Sequence, residues 1–415
     1  MALDIVEDVE GALLGNGMVL MYNTFTSQIW VMMNGGKPAF FSEIERSLAQ
    51  TALHNARVKA YSNVIDAAML NIAVRNSFHP VREYLDGLKW DGVPRIDTWL
   101  IDHMGAKASP YVKAVGSIVL IAAVRRVRQP GCKFDECLVL VGPEGLGKSS
   151  TLYAFGHPWF SDSLPLGADP KETVERTTNV WICESAELIG NSPAKIAEIK
   201  AFLSRSDDGP FRAAYGRIPM NRPRQFVPIA TTNDSVFLHS ASGDRRFWPV
   251  EVYYAKDNFD RNQLWAEATM REAAGESIRL DPSLWDMAKA QQESHRVEDP
   301  WEGKLQNVGA KISLPEIWPI LGLSATSATG KDSQRVAAVM RRLGYVGERK
   351  TENGIRTTYY EKLHQFNPSS FDRNPKSAPA DDEIPEGAMT EAELTEKRRE
   401  EEIEEALEDA RAMEW

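Results

Sequence analysis

The sequence has little cysteine and no long hydrophobic segment, and both absences exclude classes of protein. Its three cysteines, Cys132, Cys137 and Cys183, are too few and too badly spaced for a disulfide framework or a zinc site, which indicates a reducing compartment. No uninterrupted apolar run approaches the roughly 18 residues that a membrane span needs. The acidic N-terminus does not resemble a signal peptide. We therefore expect a cytoplasmic protein without a membrane partner.

Excess charge is also absent from most of the chain. The formal net charge is −11, but residues 381–415 hold 15 Asp/Glu and 4 Lys/Arg and account for all of it. The rest of the chain is neutral, so the low pI does not exclude a nucleic-acid partner, because local patches decide binding. We interpret the acidic tail as a solvated helix. The alternative is that it docks on a basic partner or on the protein's own DNA site.

A chain of 415 residues is too long for one simple core, and its residue pattern divides it into six parts. Strand-like segments at 18–22 and 29–33 and helical spacing over 42–55 and 62–76 begin the chain, and a further helix is predicted over 111–128. We predict a small α/β module over 1–75, a helical lead-in over 76–133, an ATPase core over 134–255, a helical connector over 256–304, a small domain over 305–364, and a flexible linker with an acidic helix over 365–415.

The most specific feature is a glycine-rich segment that fits G-x-x-x-x-G-K-[S/T], the phosphate-binding P-loop. A predicted buried strand, 138–141, precedes it, and residues 149–154 can open a helix. Such a loop turns backbone N–H groups around an anion, while its lysine reaches the β/γ-phosphates and the hydroxyl of Ser149 ligates Mg²⁺. We predict that ATP binds here, through Gly142, Pro143, Glu144, Gly145, Leu146, Gly147, Lys148, Ser149 and Ser150.

Two further predicted strands end in candidate catalytic side chains. An apolar run over 179–183 ends at Glu184, with Glu187 three residues on. We assign Glu184 to the metal and Glu187 to the base that orients the attacking water, and the reverse assignment stays open. The strand over 226–232 ends at Asn233, which can contact the γ-phosphate and the lytic water. The simpler interpretations are two surface glutamates and an Asn-Asp turn.

Basic side chains surround the last of these strands. Arg245 and Arg246 precede another predicted strand. An arginine placed at a γ-phosphate stabilises the charge of the transition state. If a neighbouring subunit supplies that arginine, the enzyme is an oligomer. Residues 200–246 hold 8 Lys/Arg and 4 Asp/Glu, and 211–224 can form a hairpin that grips a phosphate backbone. The alternative is that these arginines form ion pairs within one subunit. The DNA-binding candidates are Arg212, Tyr215, Arg217, Arg222 and Arg224.

Ten ordered motifs, over roughly residues 15–255, resemble the virulence-associated protein E family. They are Phe78-His-Pro-Val-Arg82, Tyr84-Leu85, Leu88-Lys-Trp-Asp-Gly-Val-Pro-Arg95, Pro130-Gly-Cys-Lys-Phe134, the P-loop, Trp159-Phe-Ser-Asp162, Glu184-x-x-Glu187, Ala214-Tyr-Gly-Arg217, Thr231-Thr-Asn233 and Gly243-Asp-Arg-Arg-Phe-Trp-Pro249. The segment Arg212-Ala-Ala-Tyr215 departs from the family, which more often has prolines before the tyrosine.

The resemblance implies an α/β fold around a P-loop AAA+ core, similar to the superfamily 3 helicases of phages and mobile elements. It implies an ATP-driven ring motor in DNA replication, with 212–224 at DNA, Asn233 sensing the γ-phosphate, and Arg245 or Arg246 as arginine finger. Many relatives carry a primase-like domain upstream. We expect no room for one in this chain, so any priming should come from a separate protein.

Residues 305–364 are predicted to form a winged-helix-like domain. A short helix over 314–321 precedes a second helix capped by Asp332 and stopped by Gly344, and strands over 345–351 and 355–360 flank Asn353-Gly354, a strong hairpin signal. Residues 311–364 hold 9 Lys/Arg and 5 Asp/Glu, which favours DNA contact. Winged helices also serve as protein–protein modules, and that alternative stays open.

Together these features predict a Mg²⁺-dependent ATP hydrolase that acts as an oligomeric DNA motor. We expect a hexameric ring on single-stranded or forked DNA, in the cytoplasm of a bacterial host of a phage or mobile element. One alternative is a DNA-binding initiator or loader without processive unwinding. Another is a regulatory or anti-phage protein whose ATPase gates a partner.

Overall fold

The computed structural model describes residues 2–163, 169–186, 193–211, 220–238, 244–352 and 355–362. The chain divides into two compact units. The first comprises Met1–Gln306 with Gln334–Val339, and the second comprises Asn307–Ser333 with Met340–Trp415. No helix in the described part of the chain is long and apolar enough to cross a membrane.

The N-terminal part of the first unit is a small mixed sheet packed with helices. Its sheet order is β3-β2-β1-β4, and β1 and β2 are antiparallel. Val9, Leu20, Val31 and Ile72 lie in its core. The predicted strands and helices are present, whereas the first helix was not predicted. The elements are α1 (Ala2–Leu14), β1 (Met18–Asn23), β2 (Gln28–Met33), β3 (Ala39–Phe40), α2 (Glu43–Asn55), α3 (Ser62–Arg75) and β4 (Ser77–Phe78).

Three helices lead to the central sheet: α4 (Pro80–Asp86), α5 (Trp99–Asp102) and α6 (Pro110–Arg128). His79 caps α4, because its Nδ1 accepts the backbone N–H of Arg82 at 3.2 Å. Its Nε2 lies 2.8 Å from the Gln225 Oε1, to which it donates. Burial lowers the pKa of His79 below its ordinary value, so the neutral ring is the folded form.

The helix α6 is buried along most of its length and forms the centre of the largest apolar core. It even carries a buried cation, since Arg126 is 1% exposed. The guanidinium donates to the carbonyl oxygens of Phe226 at 2.8 Å and Phe134 at 2.6 Å. Burial lowers the pKa of Arg126 to about 10. These bonds fix α6 to the segments that lead into two strands of the central sheet.

The central sheet is parallel, and helices or longer connections join its strands. Its order is β11-β5-β10-β7-β6. The ribbon of β8 and β9 is antiparallel and lies between α9 and β10 in the chain. The elements are β5 (Cys137–Val141), α7 (Lys148–Gly156), β6 (Phe160–Ser161), α8 (Pro170–Arg176), β7 (Ile182–Ala186), α9 (Pro193–Leu203), β8 (Asp207–Phe211), β9 (Met220–Pro223), β10 (Val227–Thr232) and, after a 3₁₀ turn over Asp244–Arg246, β11 (Phe247–Glu251).

Alternation of side chains along these strands buries both faces of the sheet. Leu138 and Leu140 of β5 lie in the core that contains α6, whereas Val139 lies in the core on the other face, with Phe202 and Leu203 of α9. Two-sided burial explains why the strands are apolar almost throughout rather than alternating with polar residues. The predicted α/β fold is confirmed, and its central sheet is parallel.

Further helices complete the first unit. They are α10 (Arg261–Ala273), α11 (Trp285–Ser294), which follows a 3₁₀ turn over Pro282–Leu284, and α12 (Pro300–Leu305). The helix α10 packs on α6. Its Trp265 is fully buried, and the ring lies against that of Trp181 with centroids 4.0 Å apart and planes tilted by 36°. The helix α11 packs against β11.

The second unit has two helices and a three-stranded antiparallel sheet, β12 (Lys311–Ser313), α13 (Leu314–Leu321), α14 (Gly330–Arg342), β13 (Tyr345–Glu352) and β14 (Ile355–Lys362), in strand order β12-β14-β13. The residues Gln334–Val339 of α14 group with the first unit. The cap differs from the prediction: Thr329 precedes the helix, and the Asp332 carboxylate accepts from its backbone N–H and hydroxyl. The strand β12 was not predicted. Asn353, Gly354 and residues 363–415 lie outside the described residues.

Candidate functional site

The glycine-rich loop, Gly142–Ser149, connects the carboxyl end of β5 to the first residues of α7. Gly145 and Gly147 have φ values of 76° and 91°, which favour glycine. At Gly142 a Cβ atom would lie 2.6 Å from the carbonyl oxygen of Val252, which follows β11, so the backbone there leaves no room for a side chain at position 142. The glycines therefore set the loop's path, as the motif requires.

Lys148 is the first residue of α7, and its side chain turns back over the loop. The Nζ atom donates to the carbonyl oxygens of Gly142 at 2.6 Å and Pro143 at 2.9 Å, and to Asn233 Oδ1 at 3.0 Å. Burial lowers the pKa of Lys148, and the carboxylates of Glu184 and Glu144 partly offset this effect. The predicted lysine and the predicted asparagine thus meet at one point.

A buried carboxylate lies beside the serine of the loop. Glu184 is 1% exposed, and its Oε1 accepts the hydroxyl of Ser149 at 2.7 Å and the hydroxyl of Thr231 at 2.8 Å. Its other oxygen, Oε2, is buried and has no hydrogen-bond partner among the described residues. Burial of a carboxylate oxygen without a hydrogen-bond partner costs free energy unless a ligand contacts that oxygen, so this carboxylate is a candidate metal ligand.

The donor set suits Mg²⁺ better than a transition metal. The Ser149 hydroxyl and the Glu184 carboxylate are hard oxygen ligands, and Mg²⁺ commonly takes one or two protein oxygens and completes its shell with waters and phosphates. No group of three or more His, Cys, Asp or Glu that could hold a metal occurs in the described ranges. These observations fit a metal that binds with a phosphate ligand rather than alone.

Lys148, Ser149, Thr231 and Asn233 line one cavity of about 260 Å³, which the loop, the start of α7 and the end of β10 form. The backbone N–H of Gly142 bonds to the carbonyl of Thr232 at 3.1 Å and ties the loop to β10. A helix N-terminus, a lysine and an unpaired carboxylate oxygen can together hold a polyanion and its cation. The lining residues are Glu144, Gly145, Leu146, Gly147, Lys148, Ser149, Ser150, Thr231, Thr232 and Asn233.

The structure places Glu184 differently from the prediction. Strand β7 begins at Ile182 and continues to Ala186, so Glu184 is in the middle of the strand, opposite Ile229 of β10, and not at its end. The sheet itself therefore holds the carboxylate. Glu187 lies outside the described residues.

Arg245 and Arg246 lie at the other edge of the sheet. They immediately precede β11, which is parallel to β5 with Phe247 opposite Cys137, so they lie where β5 begins, whereas the glycine-rich loop lies where β5 ends. The five-residue strand spans roughly 16 Å. Neither arginine lines the cavity at the loop. Arg246 donates to the hydroxyl of Ser204 at 3.1 Å, whereas Arg245 is exposed.

Two predicted DNA-binding arginines have internal partners instead. Arg224 is 2% exposed and forms a bidentate pair with Asp208 at 2.6 and 2.8 Å. Arg222 donates to the backbone carbonyls of Val174, Thr177 and Phe25. Both guanidiniums therefore bond to the protein's own atoms, which supports the alternative of internal pairing over DNA contact for these two arginines.

The other three DNA-binding candidates, Arg212, Tyr215 and Arg217, lie outside the described residues. The structure shows the base of the predicted hairpin, which is the ribbon of β8 and β9 with Asp208 opposite Arg222. The ribbon was not assigned to strands from the sequence. The hydroxyl of Thr231 was also missed as a site group, although the Thr231-Thr-Asn233 motif pointed to that strand end.

The fold and this site define an α/β protein with a glycine-rich loop and a buried carboxylate on a parallel sheet. The chain belongs to the virulence-associated protein E-like domain family, whose model matches residues 85–297, about half of the chain. This match confirms the resemblance on which the sequence prediction rested. No curated protein matches the chain.

Solved structures of the NrS-1 C-terminal region are similar to the chain over most of its length. An A-form apo structure of this region is 13% identical, covers 86% of this chain and 99% of that chain, and has a TM-score of 0.43. A second apo structure is 12% identical, covers 86% and 98%, and has a TM-score of 0.45.

Proposed function

We propose that this protein is a Mg²⁺-dependent ATP hydrolase. One observation carries the proposal: Lys148 and Ser149 line a single cavity together with Asn233, which bonds to Lys148, and Ser149 bonds to the buried Glu184 of β7. A chance glycine-rich turn would need neither a lysine bonded to an asparagine of a neighbouring strand nor a carboxylate with an unpartnered oxygen. The bond between Lys148 and Asn233 and the unpartnered oxygen of Glu184 therefore support a phosphate site over a simple turn.

Each side chain has a part that follows from its position. The backbone N–H groups of the loop and of α7 bind the phosphates, and Lys148 neutralises their charge. Ser149 and Glu184 would hold Mg²⁺, which supplies further neutralisation of the triphosphate. Asn233 contacts the γ-phosphate from the end of β10. Glu187 is our candidate for the group that orients the attacking water.

The position of the arginine pair supports an oligomer. Arg245 and Arg246 lie across the sheet from the loop of their own chain, so an arginine from this pair reaches a γ-phosphate only in another copy. We therefore propose that each ATP site lies between two copies and that the copies form a closed ring, with six as the expected number. This arrangement is that of an AAA+ motor similar to superfamily 3 helicases.

The ribbon of β8 and β9 supports action on DNA. In the sequence, residues 212–219 join its two strands and contain Arg212 and Arg217, and the buried pair of Arg224 and Asp208 fixes its base. A rigid base with a basic tip suits a loop that pulls on a phosphate backbone. We propose that the protein is a replicative helicase of a phage or mobile element, and that the second unit is a winged helix that adds DNA contact.

Two variants test these proposals. Lys148→Ala is expected to lower ATP hydrolysis about 100-fold or more, whereas the exposed Lys107→Ala keeps wild-type turnover. Arg217→Ala is expected to keep basal hydrolysis and lose its stimulation by single-stranded DNA. Unchanged stimulation would contradict the role of the ribbon. A forked-duplex unwinding assay then separates a helicase from a loader that hydrolyses ATP without unwinding.

A further inference from the structure

The hairpin of β13 and β14 in the second unit carries a basic surface on one of its two sides. In the register of this antiparallel pair, Arg349 lies opposite Thr358 and Thr351 lies opposite Arg356, so these four residues share one side. All four are exposed or half-buried, and we call them the arginine face. Tyr360 lies two residues further along the same side and is buried, so the face begins where the core of the unit ends.

The acidic residues of the hairpin are on its other side. Glu348, Glu352 and Glu361 hold register positions opposite to those of the arginine face. On that side Lys350 pairs with Glu348 at 2.7 Å and lies 3.8 Å from Glu361. Charges on the other side of the hairpin therefore neutralise one another, whereas the arginine face has only positive charge.

The arginines of this face have no ionic partner in the ranges that the structure describes. Glu316 and Asp332, the acidic residues of α13 and α14, accept hydrogen bonds of 2.6–2.8 Å from the residues that precede those helices. Arg349 and Arg356 are both exposed, and no hydrogen bond or ion pair joins either guanidinium to another described residue. They are diagonal neighbours on the sheet, about 7–8 Å apart. Two unpaired guanidiniums at this spacing suit a polyanion.

The C-terminal segment of the same chain has the charge that fits this face. Residues 381–415 hold 15 Asp/Glu and 4 Lys/Arg, whereas the rest of the chain is neutral. The 18 residues 363–380 join β14 to this segment and can reach at most about 60 Å. Strand β14 itself is only about 26 Å long. The segment can therefore reach either side of the hairpin, and charge favours the arginine face.

We propose that residues 381–415 bind to the arginine face of their own chain and withhold it from nucleic acid. The contact is autoinhibitory, because a second polyanion has to displace the segment before it binds there. Only the identification of that second polyanion as DNA rests on the proposed function. The contact itself needs neither ATP nor another copy of the chain.

Attachment to the same chain makes even a weak contact effective. A segment on a short linker has an effective concentration of about 1 mM at its site. A contact with a dissociation constant of about 0.1 mM is then about 90% occupied, and it weakens the binding of a competing ligand about 10-fold. The segment therefore lowers the affinity for nucleic acid without abolishing binding.

Carbodiimide cross-linking of the full-length protein, without nucleotide or DNA, tests the contact directly. The reagent joins a carboxylate to a neighbouring amine, and Arg349→Lys places an amine on the arginine face while it keeps the charge. We expect peptides from residues 381–415 to be joined to position 349, and the products to disappear at about 1 M NaCl, as mass spectrometry can show. The matched control is Lys350 on the other side of the hairpin, which should join only to Glu348 or Glu361.

The affinity for a labelled single-stranded oligonucleotide measures the effect on nucleic acid. Five glutamates lie within residues 400–405, and their joint replacement by glutamine in the full chain should raise the affinity about 10-fold. In a chain that also carries Arg349→Gln and Arg356→Gln, the same replacement should change the affinity less than about 2-fold, because the segment then has no face to bind.

The possible results distinguish the contact from a general effect of charge. Absence of cross-links to position 349 overturns the proposal and leaves the segment solvated. Equal gains of affinity in the two backgrounds also overturn it, because they show simple repulsion between the segment and the oligonucleotide. If residues 381–415 cross-link to position 349 in a protein that binds no DNA with or without the five glutamates, the contact stands and the proposed function fails.

Discussion

Replacement of Thr231 by valine tests whether the buried carboxylate is a metal ligand. The hydroxyl of Thr231 donates to Glu184 Oε1 at 2.8 Å, and valine keeps the shape of threonine while it removes this donor. The carboxylate then retains the hydroxyl of Ser149 as its donor, at 2.7 Å. The substitution therefore loosens the orientation of Glu184 and leaves both proposed Mg²⁺ ligands, Ser149 and Glu184, in place.

The magnitude follows from the type of bond. A hydrogen bond to a charged group contributes about 1.5–3 kcal/mol to stability, and loss of a partner that orients a metal ligand weakens metal binding about 10–100-fold. We therefore expect Thr231→Val to unfold at a lower denaturant concentration. We also expect its hydrolysis to need about 10–100 times more Mg²⁺ for half-maximal rate. The rate at saturating Mg²⁺ should change much less.

The assay is the Mg²⁺ dependence of ATP hydrolysis at saturating ATP. The matched control is Thr269→Val in α10, since the Thr269 hydroxyl is buried and has no hydrogen-bond partner among the described residues. This control should leave the Mg²⁺ dependence at its wild-type value. If Thr231→Val also leaves it unchanged while losing stability, the contact with Glu184 is only structural and the reasoning is wrong.

Two predictions concern stability alone. Burial lowers the pKa of His79 below 6.5 and its Nδ1 accepts from Arg82, so the unfolded chain binds the proton first as pH falls. Stability should therefore decrease below about pH 6.5, and His79→Gln should flatten a denaturation profile against pH, whereas the exposed His54→Gln should not. Arg224→Met should cost about 3–5 kcal/mol in chemical denaturation because it leaves Asp208 buried and unpaired. Adding Asp208→Leu should restore most of that loss, and a double variant no more stable than Arg224→Met would contradict the ion-pair explanation.

The central part of the fold was predictable because its signals are local. The glycine spacing, the apolar strand before it and the lysine-serine pair after it fix a strand, a loop and a helix within a few residues of each other. The helix α13 was predicted with the bounds that the structure has, Leu314–Leu321, because its apolar stripe is short and sharply bounded. Domain boundaries stay predictions.

The position of Glu184 was not predictable from hydrophobicity. The apolar run 179–183 suggested a strand that ends where polarity begins, but β7 continues through Glu184 and Ser185 because these residues pair with Ile229 and Ala230. A polar side chain within a buried strand can be predicted only when its hydrogen-bond partners are known. Here the partners, Ser149 and Thr231, are 35 and 47 residues away.

The arginines between β8 and β10 show that charge, like hydrophobicity, does not predict where a side chain lies in the fold. The excess of Lys and Arg over residues 200–246 predicts a basic surface, with internal ion pairs as the alternative. The count cannot tell which arginine has a partner, because Arg224 pairs with an aspartate 16 residues earlier and Arg222 reaches a carbonyl 197 residues away. Those contacts depend on the tertiary fold.

Arg222 has a consequence for how the first unit can move. Its guanidinium bonds both to the C-terminal end of α8, through Val174 and Thr177, and to Phe25 of the N-terminal sheet module. A displacement of that module against the base of the ribbon has to break the bond to Phe25, so Arg222 links the two parts. If ATP turnover drives the ribbon, the N-terminal module is carried with its base, and a load on that module would resist each stroke.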